Sequence, residues 1–127
     1  MKRSYIIVIL GFIILLSASY FITGQVKKTT HALQSQVGKI EILIEEDRWE
    51  EAFYEIKNTY QNWVKKEKWL AMVLHQNVLT NIEISFQKLF QFAASEEKGL
   101  SLAELNTLII LLTDIHQSDD ISLENIL

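Results

Sequence analysis

The sequence predicts an all-α protein, with an N-terminal transmembrane helix followed by an antiparallel bundle of about four helices. Three observations carry that prediction. Proline is absent from all 127 residues, so nothing removes a backbone donor inside a long helix. Residues 5–22 carry no charge. Beyond them, apolar side chains recur at three- and four-residue intervals, the period of a helix face. The boundaries this implies are a membrane anchor, or uncleaved signal-anchor, over residues 1–24 and an extracytoplasmic bundle domain over residues 25–127.

The anchor comes first in the chain. Residues 5–22 read YIIVILGFIILLSASYFI, and 18 helical residues at 1.5 Å each reach roughly 27 Å, enough for a hydrocarbon core. Tyr5, Tyr20 and Phe21 stand at the two ends, where amphipathic rings settle at headgroup level. Lys2 and Arg3 precede the run and Lys27 and Lys28 follow it, a small bias toward a cytoplasmic N-terminus. The alternative is a signal peptide cleaved after Ser19, in the small-residue stretch Ser17-Ala18-Ser19. The apolar run continues through Tyr20, Phe21 and Ile22, which favours retention. Both readings place the remainder of the chain outside the cytoplasm.

Four further helical segments follow. Val26, Leu33, Val37, Ile40 and Ile44 form the first stripe. It is compatible both with continuation from the apolar run and with a break at Gly24. The second segment has Asp47 as its expected N-cap, with Glu50 three residues on. Trp49, Phe53, Ile56, Tyr60 and Trp63 then form its stripe. The third runs from about Lys66 to Ala94, with Leu70, Leu74, Val78, Ile82, Leu89 and Ala93 on one face, widened by Met72, Leu79 and Phe86. The charged run Lys65–Lys68 is the expected break between these two, and the alternative is one helix of roughly 45 residues. The fourth is expected to open on the S-x-x-E box of Ser101 and Glu104, stapled by Leu100 and Leu105. Ser101→Ala should then cost about 1 kcal/mol through cap loss. Leu105, Leu108, Leu112 and Ile115 make its core face, and Ser118–Leu127 is a polar, acidic tail expected to dock as a short terminal turn.

Charge and residue types narrow the function. Lys2 and Arg3 are the only charges before residue 25, leaving 10 basic against 16 acidic side chains, a balance of −6. Such a domain is repelled by phosphate backbones, so nucleic acid is not expected as a partner. The absence of Cys removes thiolate metal sites and Cys nucleophiles. His31 and His75 have no His or carboxylate at the i±3 or i±4 positions of a helical metal site, and His116 has only Asp119 and Asp120 near it in sequence, in a stretch that reads as a loop. His75 has Ala71, Met72, Val78 and Leu79 at those offsets and reads as a packed core histidine. The acidic group Glu45, Glu46, Asp47, Glu50 and Glu51 lacks the alternating spacing of a calcium loop and reads as a solvated helix start. No Ser lies in a nucleophile elbow. No catalytic residue, cofactor or metal site is therefore expected, and the chain is not expected to be an enzyme.

Five stretches stand out together: Asp47-Arg48-Trp49-Glu50-Glu51-Ala52, Trp63 with Trp69, Asn81-Ile82-Glu83-Ile84-Ser85, Leu102-Ala103-Glu104-Leu105-Asn106 and Ser122-Leu123-Glu124-Asn125-Ile126-Leu127. With them, the plan resembles a family of short, single-anchor extracytoplasmic helical proteins of unknown function, described mainly from Gram-positive spore-forming bacteria. The resemblance implies the topology and no activity.

The expected function is a non-enzymatic interaction or scaffolding protein at the cell envelope. It touches the bilayer through residues 5–22 and offers a protein partner one or more of Trp49, Trp63 and Trp69, since Trp is enriched in hot spots. Asn77 and Asn81, at i and i+4, are either buried polar residues or partner contacts. The alternative function is a small-ligand-binding or sensory domain acting through a partner protein.

Overall fold

Apolar stripes on four segments joined by short connections have to face one another to leave water, and the chain does this as an up-and-down bundle. A computed structural model describes the backbone of residues 2–126 and the side chains of residues 2–115. The helices are α1 (Lys2–Glu45), α2 (Trp49–Leu70), α3 (Gln76–Ala94) and α4 (Lys98–Ile126), with no strand among the described residues. Helix α1 packs on α2 and α4, and α3 packs on the same two, while among the described residues the backbones of the diagonal pairs do not come close. The four therefore stand at the corners of a square.

Helix α1 is unbroken through Gly24. Its 44 residues make a rod about 66 Å long. The first half stands clear of the bundle, and its most apolar 18-residue window has a mean hydropathy of 2.6 with no buried residue. That half fits a transmembrane anchor. Packing begins at Ile22, and Val26 is the first fully enclosed side chain. From there Leu33, Val37, Ile40 and Ile44 are all buried, as their spacing predicts. On α4 the stripe Leu105, Leu108, Leu112 and Ile115 is buried in the same way.

The helix ends depart from the expected caps. Asp47 does not cap α2. It adopts φ 60° after the last turn of α1, with Arg48 N–H donating to Leu43 O at 2.9 Å and Asp47 N–H to Ile44 O at 3.0 Å. This is a Schellman closure, so Asp47 belongs to the end of α1. Arg48 is the N-cap residue of α2 and makes no side-chain cap bond. The same closure recurs at the end of α3. Glu96 has φ 54°, Glu97 N–H donates to Phe92 O at 2.9 Å, and Glu96 N–H to Ala93 O at 3.1 Å.

That second reversal starts α4 at Lys98, three residues before the expected cap. Ser101 is inside the helix and fully buried, with its hydroxyl lacking a hydrogen-bond partner. Leu100 is 49% exposed and forms no staple. The expected effect of Ser101→Ala therefore changes sign. Removing an unsatisfied buried hydroxyl and gaining helix propensity leaves stability unchanged or raised by up to about 1 kcal/mol. The midpoint of urea unfolding checks this.

The break between α2 and α3 lies at residues 71–75, not at Lys65–Lys68. Those lysines extend into water and cost the helix nothing. Burying Leu70, Leu74 and Leu79 against one core requires the chain to reverse between them, and the turn is closed by Leu74 N–H donating to Leu70 O at 2.8 Å. Met72 is 83% exposed at this turn rather than on a core face. His75 is exposed at the N-cap position of α3, so it is not a core histidine.

Candidate functional site

The three Trp residues occupy separate environments. Trp63 is fully enclosed in the core, its indole N–H without a partner. Trp49 is half-buried at the start of α2, beside a shallow hollow of about 600 Å³ lined by Asp47, Arg48, Glu50, Glu51 and Glu96. Trp69 is half-buried at the other end of α2 and lines a hollow of about 450 Å³ with Phe21, Gln25, Thr29, Lys65 and Lys66. Twenty residues of helix separate the two half-buried rings by about 30 Å. They do not form one surface. Asn77 and Asn81 are both exposed.

A larger concavity than either of these hollows lies between the last turns of α1 and the first turns of α2. It encloses about 760 Å³ and is lined by Lys39, Ile42, Leu43, Glu50, Glu51, Tyr54 and Glu55. Ile42 is 55% exposed and Tyr54 64%. The sequence carried a signal for it. Ile42 is out of phase with the stripe of Val37, Ile40 and Ile44, and an apolar residue off the buried stripe on a packed helix faces water.

Beside this groove the two reversals are tied together. Arg48 bonds Glu46 at 3.1 Å and also pairs with Glu51. Lys98 Nζ donates to Glu45 O at 2.9 Å and to Asp47 Oδ1 at 3.3 Å, joining the start of α4 to the α1–α2 turn. Three of the five acids read from the sequence, Glu46, Asp47 and Glu51, are thus paired with structural cations. Among the described residues no group of three His, Asp or Glu side chains converges on a metal-sized site. His31 is exposed on α1, and His116 lies outside the described side chains.

The seam between α2 and α3 is aromatic and polar. Tyr60 meets Phe86 and Phe90 edge-on at 5.4 and 5.5 Å, and Phe53 meets Phe90 at 5.8 Å. The Tyr60 hydroxyl donates to Glu83 Oε1 at 2.6 Å, and Gln87 Nε2 donates to the same oxygen at 3.2 Å. The bond to Glu83 raises the phenol above its ordinary pKa, with burial and the charges of Glu83 and Glu67 adding to it. A phenol raised in the folded state contributes stability that is complete below its unfolded value, about pH 10, and is lost as pH rises through the folded one. Tyr60→Phe should cost about 1.5 kcal/mol near neutrality. The variant should also lose less stability than wild type as pH climbs past about 10. Urea midpoints at neutral and alkaline pH measure both effects.

These features are chemically modest: an apolar groove with a charged rim, a lysine–aromatic hollow and a hydrogen-bonded seam. No curated protein and no solved structure matches the chain. The model of a family described as a domain of unknown function, DUF4363, matches residues 20–126, which is most of the chain and includes the whole bundle, so the protein belongs to the DUF4363 family.

Proposed function

We propose that this is a single-pass, membrane-anchored interaction or scaffolding protein without catalytic chemistry, whose bundle lies outside the cytoplasm and offers a protein partner the groove between α1 and α2. The observation that carries this reading is the groove's composition. Ile42, Leu43 and Tyr54 form an apolar centre, and Lys39, Glu50, Glu51 and Glu55 surround it. An apolar centre inside a charged rim is the anatomy of a protein contact. Glu51 is paired with Arg48, which leaves Glu50 and Glu55 against Lys39, a negative balance that favours a basic partner surface.

Position supports the same reading. Ile42 lies 20 residues beyond Ile22 on one continuous helix, so the groove stands about 30 Å above the end of the apolar run. Lys2 and Arg3 before the span favour a cytoplasmic N-terminus. Ile42 and Tyr54, which line the groove, are 55% and 64% exposed, whereas a small-ligand site encloses most of its ligand.

The test is photocrosslinking in intact cells from a benzoylphenylalanine placed at Tyr54, compared with one at Ile84, which is 47% exposed on α3. A discrete adduct from position 54 alone is expected. The same species from both positions, or none from position 54, overturns the groove as the contact surface. Topology is checked separately by a tag fused after Leu127. Protease added to wall-stripped intact cells should remove it, and protection until lysis overturns the extracytoplasmic placement.

A further inference from the structure

We propose that the hollow at the membrane-proximal end of the bundle is a binding site for the headgroup of an anionic phospholipid in the leaflet that the anchor leaves. Phe21 is among the last apolar residues of the span, and it shares the hollow with Gln25, Thr29, Lys65, Lys66 and Trp69. The structure thus brings the end of α2 alongside the point where α1 leaves the hydrocarbon. Because α1 is continuous there, the level of Trp69 is fixed relative to the span. Its indole, half-buried beside Phe21, sits at the depth that Trp prefers in a bilayer interface.

Lys65 and Lys66 lie about one helical turn farther from the membrane than Trp69, roughly 6 Å. That matches the thickness of the polar headgroup layer. Both are exposed, and no ion pair ties either one among the described residues. Lys27 and Lys28 on α1 and Lys68 on α2 add positive charge at the same end. Glu67, the one acid in that run, is near enough to Tyr60 to raise its pKa and so belongs to the side facing α3. Asp114 stands on α4, which among the described residues packs against α1 and α3 and not against α2. Met72, 83% exposed in the connection that directly follows Trp69 and Leu70, gives this end an apolar tip beside the bilayer. A second hollow of about 450 Å³, lined in part by Thr29, Gln36, Asn62, Lys65 and Lys66, continues from the first and leaves room for a polar headgroup above its phosphate. A phosphodiester held between two ammonium groups, with its glycerol end toward Phe21 and Trp69, satisfies each of these groups.

The proposal rests on the membrane-anchor reading above and is independent of the distal groove. The full-length protein is reconstituted into vesicles of phosphatidylcholine, or of phosphatidylcholine mixed with phosphatidylglycerol. Flotation establishes insertion. Spin-labelled lipids of each class then report which one the protein holds, and a headgroup-labelled lipid reports Trp quenching. Trp63 is enclosed and Trp49 is remote, so quenching should vanish in Trp69→Phe.

Spin-labelled phosphatidylglycerol should be preferred over phosphatidylcholine. The preference should fall up to roughly five-fold for each lysine removed in Lys65→Gln and Lys66→Gln, while helicity by circular dichroism is unchanged. Flotation with equal affinity for both lipids, or with quenching that persists in Trp69→Phe, overturns the headgroup site and leaves the anchor standing. Loss of the preference in inorganic phosphate, but not in chloride of matched ionic strength, marks a free-anion site and also overturns it. Failure to float overturns the anchor and the site together.

Discussion

Trp63→Ala is expected to lower the thermal midpoint of the bundle by about 20 °C, the largest effect of any single substitution considered. Trp63 heads the fully enclosed side chains by volume, and its helix bridges α1 and α3. Truncation removes the ring's transfer free energy and leaves a cavity that four connected helices cannot close, a loss of about 3–5 kcal/mol. A domain of roughly 100 residues has only about 5–15 kcal/mol in total, and about 1 kcal/mol moves its midpoint by 4–8 °C. Trp63→Phe should be much milder. It keeps an aromatic ring and removes an indole N–H that has no partner, which offsets part of the lost area. Thermal melts of the full chain in detergent micelles decide the matter. A shift below about 5 °C for the Ala variant would mean the bundle does not depend on this ring.

Gly24→Pro should break the mechanical continuity between anchor and bundle. Gly24 lies in the middle of α1, between the apolar run and the first enclosed core residue. Proline there removes the hydrogen bond to the Tyr20 carbonyl and clashes with it, a penalty of about 3 kcal/mol in a straight helix. A kink relieves that penalty at the expense of direction. Gly24→Ala should do the opposite. A Cβ at this position meets nothing within 4 Å, and alanine gains about 1 kcal/mol of helix propensity. The chain has no cysteine, so Leu10→Cys and Ile42→Cys can carry a spin-label pair. Thirty-two residues of straight helix put their backbones about 48 Å apart. Wild type and Gly24→Ala should give one narrow distance distribution near that value, and Gly24→Pro a shorter, broader one. An unchanged distribution in the proline variant would mean that the two halves are not coupled through α1.

The parts of this fold that were legible in the sequence are those fixed by periodicity. Val26, Leu33, Val37, Ile40 and Ile44, and likewise Leu105, Leu108, Leu112 and Ile115, are enclosed because their spacing allows a helix only one way to hide them. The helix ends were not legible, for a specific reason. Both reversals place an acidic residue, Asp47 or Glu96, at positive φ, where glycine is the usual marker. Gly38 and Gly99 instead sit inside helices, so the customary punctuation pointed away from the turns. The S-x-x-E of Ser101 and Glu104 occurs one turn into α4, where both residues serve the helix interior. The break after Leu70 has no local signal because it is imposed by which leucines share a core. The α1–α2 groove is legible only in part. Ile42 announces its exposure by phase, but its juxtaposition with Tyr54 depends on how two helices meet.

The unbroken α1 also fixes a compass bearing. Each helical residue advances the chain by about 1.5 Å and turns it by about 100°. The height of the Ile42–Tyr54 groove above the apolar run and the direction it faces around the α1 axis are therefore set together by one count of residues. Inserting a single residue between Ile22 and Val26 would lift the bundle only slightly but swing the groove by more than a quarter turn. It would also draw Trp69 and Lys65 away from Phe21. Inserting seven residues, close to two full turns, would nearly restore the bearing while raising the bundle by about 10 Å. In this protein the length of the linker is an angle as much as a distance, and the orientation of the apolar half of α1 about its own axis dictates where the groove points.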